Sequence, residues 1–308
     1  MTARGTARHS RTLIALAALL TAGPVSADPY PVNDRIDVEH YRFAIALSDD
    51  TDVIEVTATI DASILDSAID ELALDLIQQS DEREGRGMTV SAVTRGGEAL
   101  RYFHDDDVLR IDVPADDAGR GRITVTIQYA GVPDSGLEIG PNKHGDRTYF
   151  SDNWPNKARH WLATVDHIAD KATSEFIVTA PSRLQVISNG LQVERTNLDN
   201  DRTLTHWKQS VPISPWLFVV GAAEFAVQRV DEFDGKTIET WVYRQDRDAG
   251  FYDFAVPTKD ALEFYASYVG PFEYEKLANV QSNSVGGGME AASAILYGDN
   301  SVTGERSR

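Results

Sequence analysis

Cysteine is absent from the 308 residues. No disulfide framework holds the fold, and no thiolate is available as a nucleophile or a metal ligand. Positive charge is scarce: 29 Lys and Arg stand against 48 Asp and Glu, for a net charge of −19. A surface so acidic argues against nucleic acid and anionic membranes as partners, since both repel it. Beyond the N-terminal region no run approaches the roughly 20 apolar residues that span a bilayer, so stable membrane insertion is not expected. What is present is 42% apolar residues, enough at this length to fill two cores of ordinary size.

Arg4, Arg8 and Arg11 precede the apolar run from Leu13 to Leu20 and then Val25-Ser26-Ala27. This is the charged, apolar, small-residue order of a secretory signal over residues 1–27. Its apolar part is too short to anchor, so cleavage after Ala27 is expected, with export to a periplasm or beyond. Cleavage removes three positive charges and no acid.

From Val38 to Tyr129 apolar residues alternate: Tyr41, Phe43, Ile45 and Leu47; Ile54, Val56, Ala58 and Ile60; Leu72, Leu74 and Leu76; Ile123, Val125, Ile127 and Tyr129. Period two marks half-buried strands. Turn formers such as Ser48-Asp49-Asp50 and Arg95-Gly96-Gly97 separate them, and no long helical period intervenes. The class is mainly β, with an antiparallel sandwich or saddle-shaped sheet over residues 28–230. Asp105-Asp106-Asp107 reads as a solvated turn in preference to a cation site.

Asp231-Glu232-Phe233-Asp234-Gly235 marks an expected boundary, after which residues 231–308 begin a second domain. Ile238 to Tyr243 reads as its first strand. Thr258 can cap a helix whose apolar face is Leu262, Tyr265, Ala266 and Val269 and which Gly270-Pro271 stops. The end, from Gly298-Asp299-Asn300-Ser301, reads as a polar tail.

The rest of the chain is organised around Ser284-Val285-Gly286-Gly287-Gly288-Met289-Glu290-Ala291-Ala292-Ser293. Three glycines let a backbone approach a ligand closely while the acid presents a carboxylate beside it, and glycine can turn sharply at positive φ. A bare glycine run is also what a flexible surface loop looks like. The apolar flanks Leu277, Ala278 and Val280, and Ala292 to Tyr297, instead join the loop to two packed elements. Upstream, the stretch from Asp152 to Ala172 mixes aromatics, charge and two histidines. His160 and His167 lie seven apart without a Glu-x-x-His arrangement, a poor zinc pattern. Arg159, Asp166 and Lys171 read as a structural ion-pair and turn network.

Gly287-Gly288-Met289-Glu290-Ala291 resembles the G-[AG]-M-E-N signature of the aminopeptidase N family of zinc metallopeptidases. Ala158, Arg159, Trp161, Asp166, Lys171 and Ala172 are similar to that family's A-R-x-W-x-P-x-x-D-x-P-x-x-K-A pattern, with Ala163 and Ile168 in place of the prolines. Ser188-Asn189-Gly190 and Val211 to Leu217 resemble its S-N-G turn and I-P-x-Y-L segment, in the right order. The resemblance implies that Gly287, Gly288 and Met289 line the substrate cleft by main-chain contacts and that Glu290 binds the free α-amine of a peptide. It also implies that residues 231–308 hold the first strands and helix of a thermolysin-like α+β catalytic domain. Ala291 departs from the family's Asn, and Asp152 and Trp154 stand where many members carry a Gln or Glu.

The zinc motif H-E-x-x-H places two ligands on one helical face with the Glu beside the metal-bound water. His9, His40, His104, His144, His160, His167 and His206 never take that spacing. In the family the motif, the third ligand and a catalytic Tyr come after the G-x-M-E-N loop. The resemblance therefore implies a zinc-dependent aminopeptidase acting on peptides with a free N-terminus. This chain is expected to be a front fragment that holds no metal or catalytic residue and is inactive alone. The competing reading is a non-catalytic secreted β module that binds peptides or a protein partner.

Overall fold

The computed structural model describes residues 32–305; the expected signal segment 1–27 lies outside them. The predicted alternation becomes an eight-stranded sheet. In spatial order its strands are Leu191–Leu198, Arg202–Ile213, Ala172–Pro181, Ile36–Ala46, Ile54–Ile64, Arg122–Val132, Gly87–Arg95 and Glu98–Ala99. Tyr41, Phe43, Ile45, Val56, Ala58, Ile60, Val125 and Ile127 are buried, because residues two apart share one face of a pleated strand. The sheet is antiparallel except where Ile36–Ala46 pairs parallel with Ala172–Pro181. The chain makes its long excursion through the other strands between these two, and a parallel pair requires such a crossover.

The buried face of this sheet meets two smaller ones. A three-stranded sheet (Glu71–Asp75, Val108–Asp112, Tyr102–Asp105) contributes Leu72, Leu74, Leu109 and Ile111. A four-stranded sheet (Gln185–Ser188, Val220–Ala223, Arg147–Ser151, Leu137–Pro141) contributes Val186, Tyr149 and Val220 to the same core. Asp105-Asp106-Asp107 turns the hairpin of the three-stranded sheet. Both Asp106 and Asp107 have positive φ, and the Asp107 carboxylate accepts from the Arg83 guanidinium at 2.6 Å.

A five-stranded sheet follows, in the order Phe225–Phe233, Lys236–Tyr243, Lys276–Ser282, Ala294–Gly298, Gly288–Met289. Its first two strands form a hairpin closed by Asp234 and Gly235. The charged stretch read as a domain boundary is thus a turn within this sheet, whose first strand begins at Phe225. A second core cluster joins the layers: Trp207 and Ile187 from the front sheets meet Trp241, Val280, Met289 and Leu296.

The helix differs from expectation at its start. It runs from Arg247, through a π turn at Phe251–Ala255, into Val256–Val269. Pro257 has no N–H to give the preceding turn and its ring crowds the carbonyl there, which favours a widened turn just upstream. Thr258 is therefore not a cap. Its hydroxyl donates to the Phe254 carbonyl at 2.6 Å and accepts from the Asn279 amide at 2.8 Å. The apolar face is only partly covered: Leu262 and Ala266 are half-buried, while Tyr265 is 61% and Val269 82% exposed. Gly270, at φ +102°, stops the helix as expected. Among the described residues no helix is long and apolar enough to cross a membrane.

Candidate substrate-binding site

The glycine loop leaves Lys276–Ser282, a strand buried along its whole length. Ser282 Oγ accepts from the Ser284 amide at 3.0 Å, while Ser284 Oγ donates to the Ser151 carbonyl at 3.2 Å. The Asn283 amide donates to the Pro141 carbonyl at 3.2 Å. The beginning of the loop is thereby fastened to the four-stranded sheet. After the glycines, Gly288 and Met289 pair antiparallel with Tyr297 and Leu296, and the Gly298 amide donates to the Gly287 carbonyl at 2.7 Å.

The glycines leave the backbone approachable but do not make the sharp turn at positive φ that was open to them. None of Gly286, Gly287 and Gly288 has positive φ. Nothing stands within 4 Å of a Cβ built on Gly286 or Gly287, and only the Tyr297 ring edge, at 4.0 Å, approaches one on Gly288. Their lack of side chains leaves open space in front of exposed backbone. The sterically required glycine is Gly298, where a Cβ would fall 2.6 Å from the Val285 carbonyl oxygen. The supposed polar tail is anchored too: Asp299 accepts from the Lys143 amide at 3.2 Å and Val302 is buried.

Met289 turns its side chain into the second core cluster, where Ala291 also packs. Only the main chain of Met289 is left for a ligand, and the Ala291 methyl occupies an apolar site. Glu290 between them is exposed and makes no hydrogen bond or ion pair among the described residues. Beyond it Ser293, at φ +61°, returns the chain to the sheet.

The Ser188-Asn189-Gly190 turn is the hub that holds the far end of the loop. The buried Asn189 amide donates to the Ala292 carbonyl at 2.7 Å and the Leu217 carbonyl at 2.9 Å, and its oxygen accepts from the Val219 amide at 2.7 Å. The Gly190 amide donates to Ser293 Oγ at 2.8 Å. Gly190 has φ +70° and a Cβ there would meet the Lys208 carbonyl oxygen at 1.9 Å, so no other residue fits. The sequence pointed to this turn only through a three-residue match. Lys276 was missed, although a lysine opening an apolar strand is a signal.

The Asp152 to Ala172 stretch divides. Its first part borders the loop: Asp152 and Lys157 pair at 3.2 Å and, with Ser284, Gly136 and Glu138, bound a pocket of about 250 Å³. Exposed Trp154 meets Trp216 edge-on at 5.0 Å. The rest is structural. Half-buried Arg159 pairs with Asp166 and Asp75, both at 3.1 Å, and burial raises the Asp166 carboxyl above its usual range against the pull of Arg159. Lys171, expected in that network, is exposed and makes no ion pair among the described residues. His160 pairs with Asp134 at 3.3 Å, and His167 Nδ1 accepts from the Ala169 amide at 3.0 Å. No group of three His, Cys, Asp or Glu among the described residues is placed to hold a metal ion. These residues therefore do not fit a zinc centre.

The sequence profile of the Peptidase M1 N-terminal domain matches residues 37–217. Glutamyl aminopeptidase of Homo sapiens is 24% identical over 195 residues, covering 60% of this chain and 20% of that protein. The Rattus norvegicus enzyme is 25% identical over 155 residues, 49% of this chain and 16% of its own. The chain thus spans about a fifth or less of these relatives. The M1 zinc metallopeptidase from Deinococcus radiodurans superposes with a TM-score of 0.72 at 18% identity, over 87% of this chain and 61% of that one. Leukotriene A4 hydrolase from Saccharomyces cerevisiae gives 0.73 at 16% identity, over 88% and 42%. At these identities the likeness to solved structures is one of fold. The domain profile covers more than half of the chain, and the protein accordingly belongs to the M1 peptidase family.

Proposed function

We propose that this chain supplies the peptide-binding front of an exported zinc-dependent aminopeptidase, with Glu290 receiving the free α-ammonium of a peptide substrate. The observation that carries this reading is the open glycine run beside an exposed carboxylate with no partner, on a loop fastened at both ends. An ammonium meeting Glu290 would form a charge-assisted hydrogen bond, stronger than a neutral one. Gly288–Met289 is the outer strand of the five-stranded sheet. An extended peptide can pair with such an edge through its main chain, which suits a site that accepts many sequences. Zinc belongs to this reading through the relatives named above, and no chemical step is placed on the residues described.

The test follows the Gly286, Gly287 and Gly288 amide resonances while the chain is titrated with a short peptide amide or its N-acetylated counterpart. The free amine is expected to shift them, with the response lost on acetylation and weakened about tenfold or more in Glu290→Gln. An equal response to both peptides, or none to either, removes Glu290 from the role.

A further inference from the structure

Lys276 opens the central strand of the five-stranded sheet and is fully buried. Its Nζ donates to the Ser188 carbonyl at 2.8 Å, and to Ser293 Oγ at 3.3 Å and the Ser293 carbonyl at 3.4 Å. The ammonium also lies 4.9 Å from the centroid of the Trp207 ring, a cation–π contact. No carboxylate stands within ion-pair distance of it among the described residues. A buried cation without a counter-ion is costly, so its place has to be held by the groups that bind it. Those groups belong to two pieces of the molecule that also meet through Asn189 and Gly190. Ser188 is in the hub turn, and Ser293 is three residues beyond Glu290, at the point where a positive φ sets the direction of the loop.

We propose that Lys276 is the positioning residue of the glycine loop, a buried pin between the Ser188–Gly190 turn and Ser293 whose charge state is felt at Glu290. The proposal rests on Glu290 as the amine-binding group only for its functional consequence; the coupling itself stands on the contacts above. Two charged groups act on Lys276. Glu239, on the neighbouring strand, is tied to Trp241 Nε1 at 2.9 Å, and Glu275, just before Lys276, accepts from the Ser210 amide at 2.6 Å. Ser188, Ser293 and Trp207, which touch the ammonium, are neutral, and the cationic Arg195 and Arg229 line the same cavity of about 420 Å³. Burial outweighs the two carboxylates and pushes the Lys276 pKa down to about 7. The pin therefore loses its charge near neutrality, and its charge-assisted bonds to Ser188 and Ser293 weaken.

The experiment needs neither substrate nor activity. In the 308-residue chain, the Gly287, Gly288 and Glu290 amide shifts and the Lys276 Cε resonance are followed from about pH 5 to about pH 9. The loop amides are expected to titrate with the same midpoint as the Lys276 Cε, near 7, and to lose that component in Lys276→Met. Loop amides that ignore pH, or that titrate equally in Lys276→Met, overturn the proposal. Should Lys276→Met fail to fold, the wild-type chain decides alone: a Cε midpoint that differs from the loop midpoint also overturns it. Either result is independent of whether a peptide amine binds Glu290.

Discussion

At the scale of single residues, side-chain burial sets charges that the sequence does not show. Asp170 ends a turn beside His167, where burial pushes its carboxyl up to about 7 despite a hydrogen bond from the Val38 amide. In the unfolded chain the same group releases its proton near 4. Between those values the folded state binds more protons, so its stability falls as pH rises through the window and then levels off. Asp170→Asn keeps a carbonyl oxygen for Val38 and removes the charge. It is expected to gain on the order of 1 kcal/mol or more over the wild type at pH 8, with little gain at pH 4. Urea unfolding of the two proteins at both pH values checks this, and an equal difference at both assigns no cost to the buried charge. Asp170 does not stand out in sequence as a perturbed group, and a lysine at the head of an apolar strand is the one hint of Lys276, because a carboxyl and an ammonium are moved by what surrounds them in space.

At the scale of elements, the strands were legible and the joints were not. Tyr41, Phe43 and Ile45 lie on one face because alternation is a property of the extended chain itself. The helix face of Leu262, Tyr265, Ala266 and Val269 was equally periodic, yet periodicity says which residues share a face and not what covers it. The Ser188-Asn189-Gly190 turn is the clearest joint, since one amide side chain serves three backbone groups from two elements. Asn189→Ala leaves all three buried without that partner. It is expected to cost about 3 kcal/mol or more, seen as a lower urea midpoint with an unchanged slope. A loss under about 0.5 kcal/mol would mean that water or a shifted loop replaces the amide.

At the scale of the whole molecule, one exposed surface has no explanation in the core. Phe264, Tyr265, Tyr268 and Val269 are each more than half exposed on the same helix, with the Phe264 and Tyr268 rings 4.8 Å apart. Contiguous apolar surface of this kind drives association. The chain is expected to self-associate increasingly with concentration in sedimentation velocity, and Tyr265→Lys with Tyr268→Lys to restore a single monomeric species. A wild-type chain that stays monomeric throughout would show that the face is tolerated in water. Alone, the sequence determined the β class, the strand faces and the residues Gly287, Gly288, Met289 and Glu290 as a candidate site, because these depend on period, composition and neighbouring residues. The tertiary structure decided that the glycines give open space and not a sharp turn, that Thr258 links a helix to a strand, and that Lys276 and Asn189 hold the loop. Those facts depend on which distant segments meet, and contacts between residues a hundred positions apart leave no local period to read.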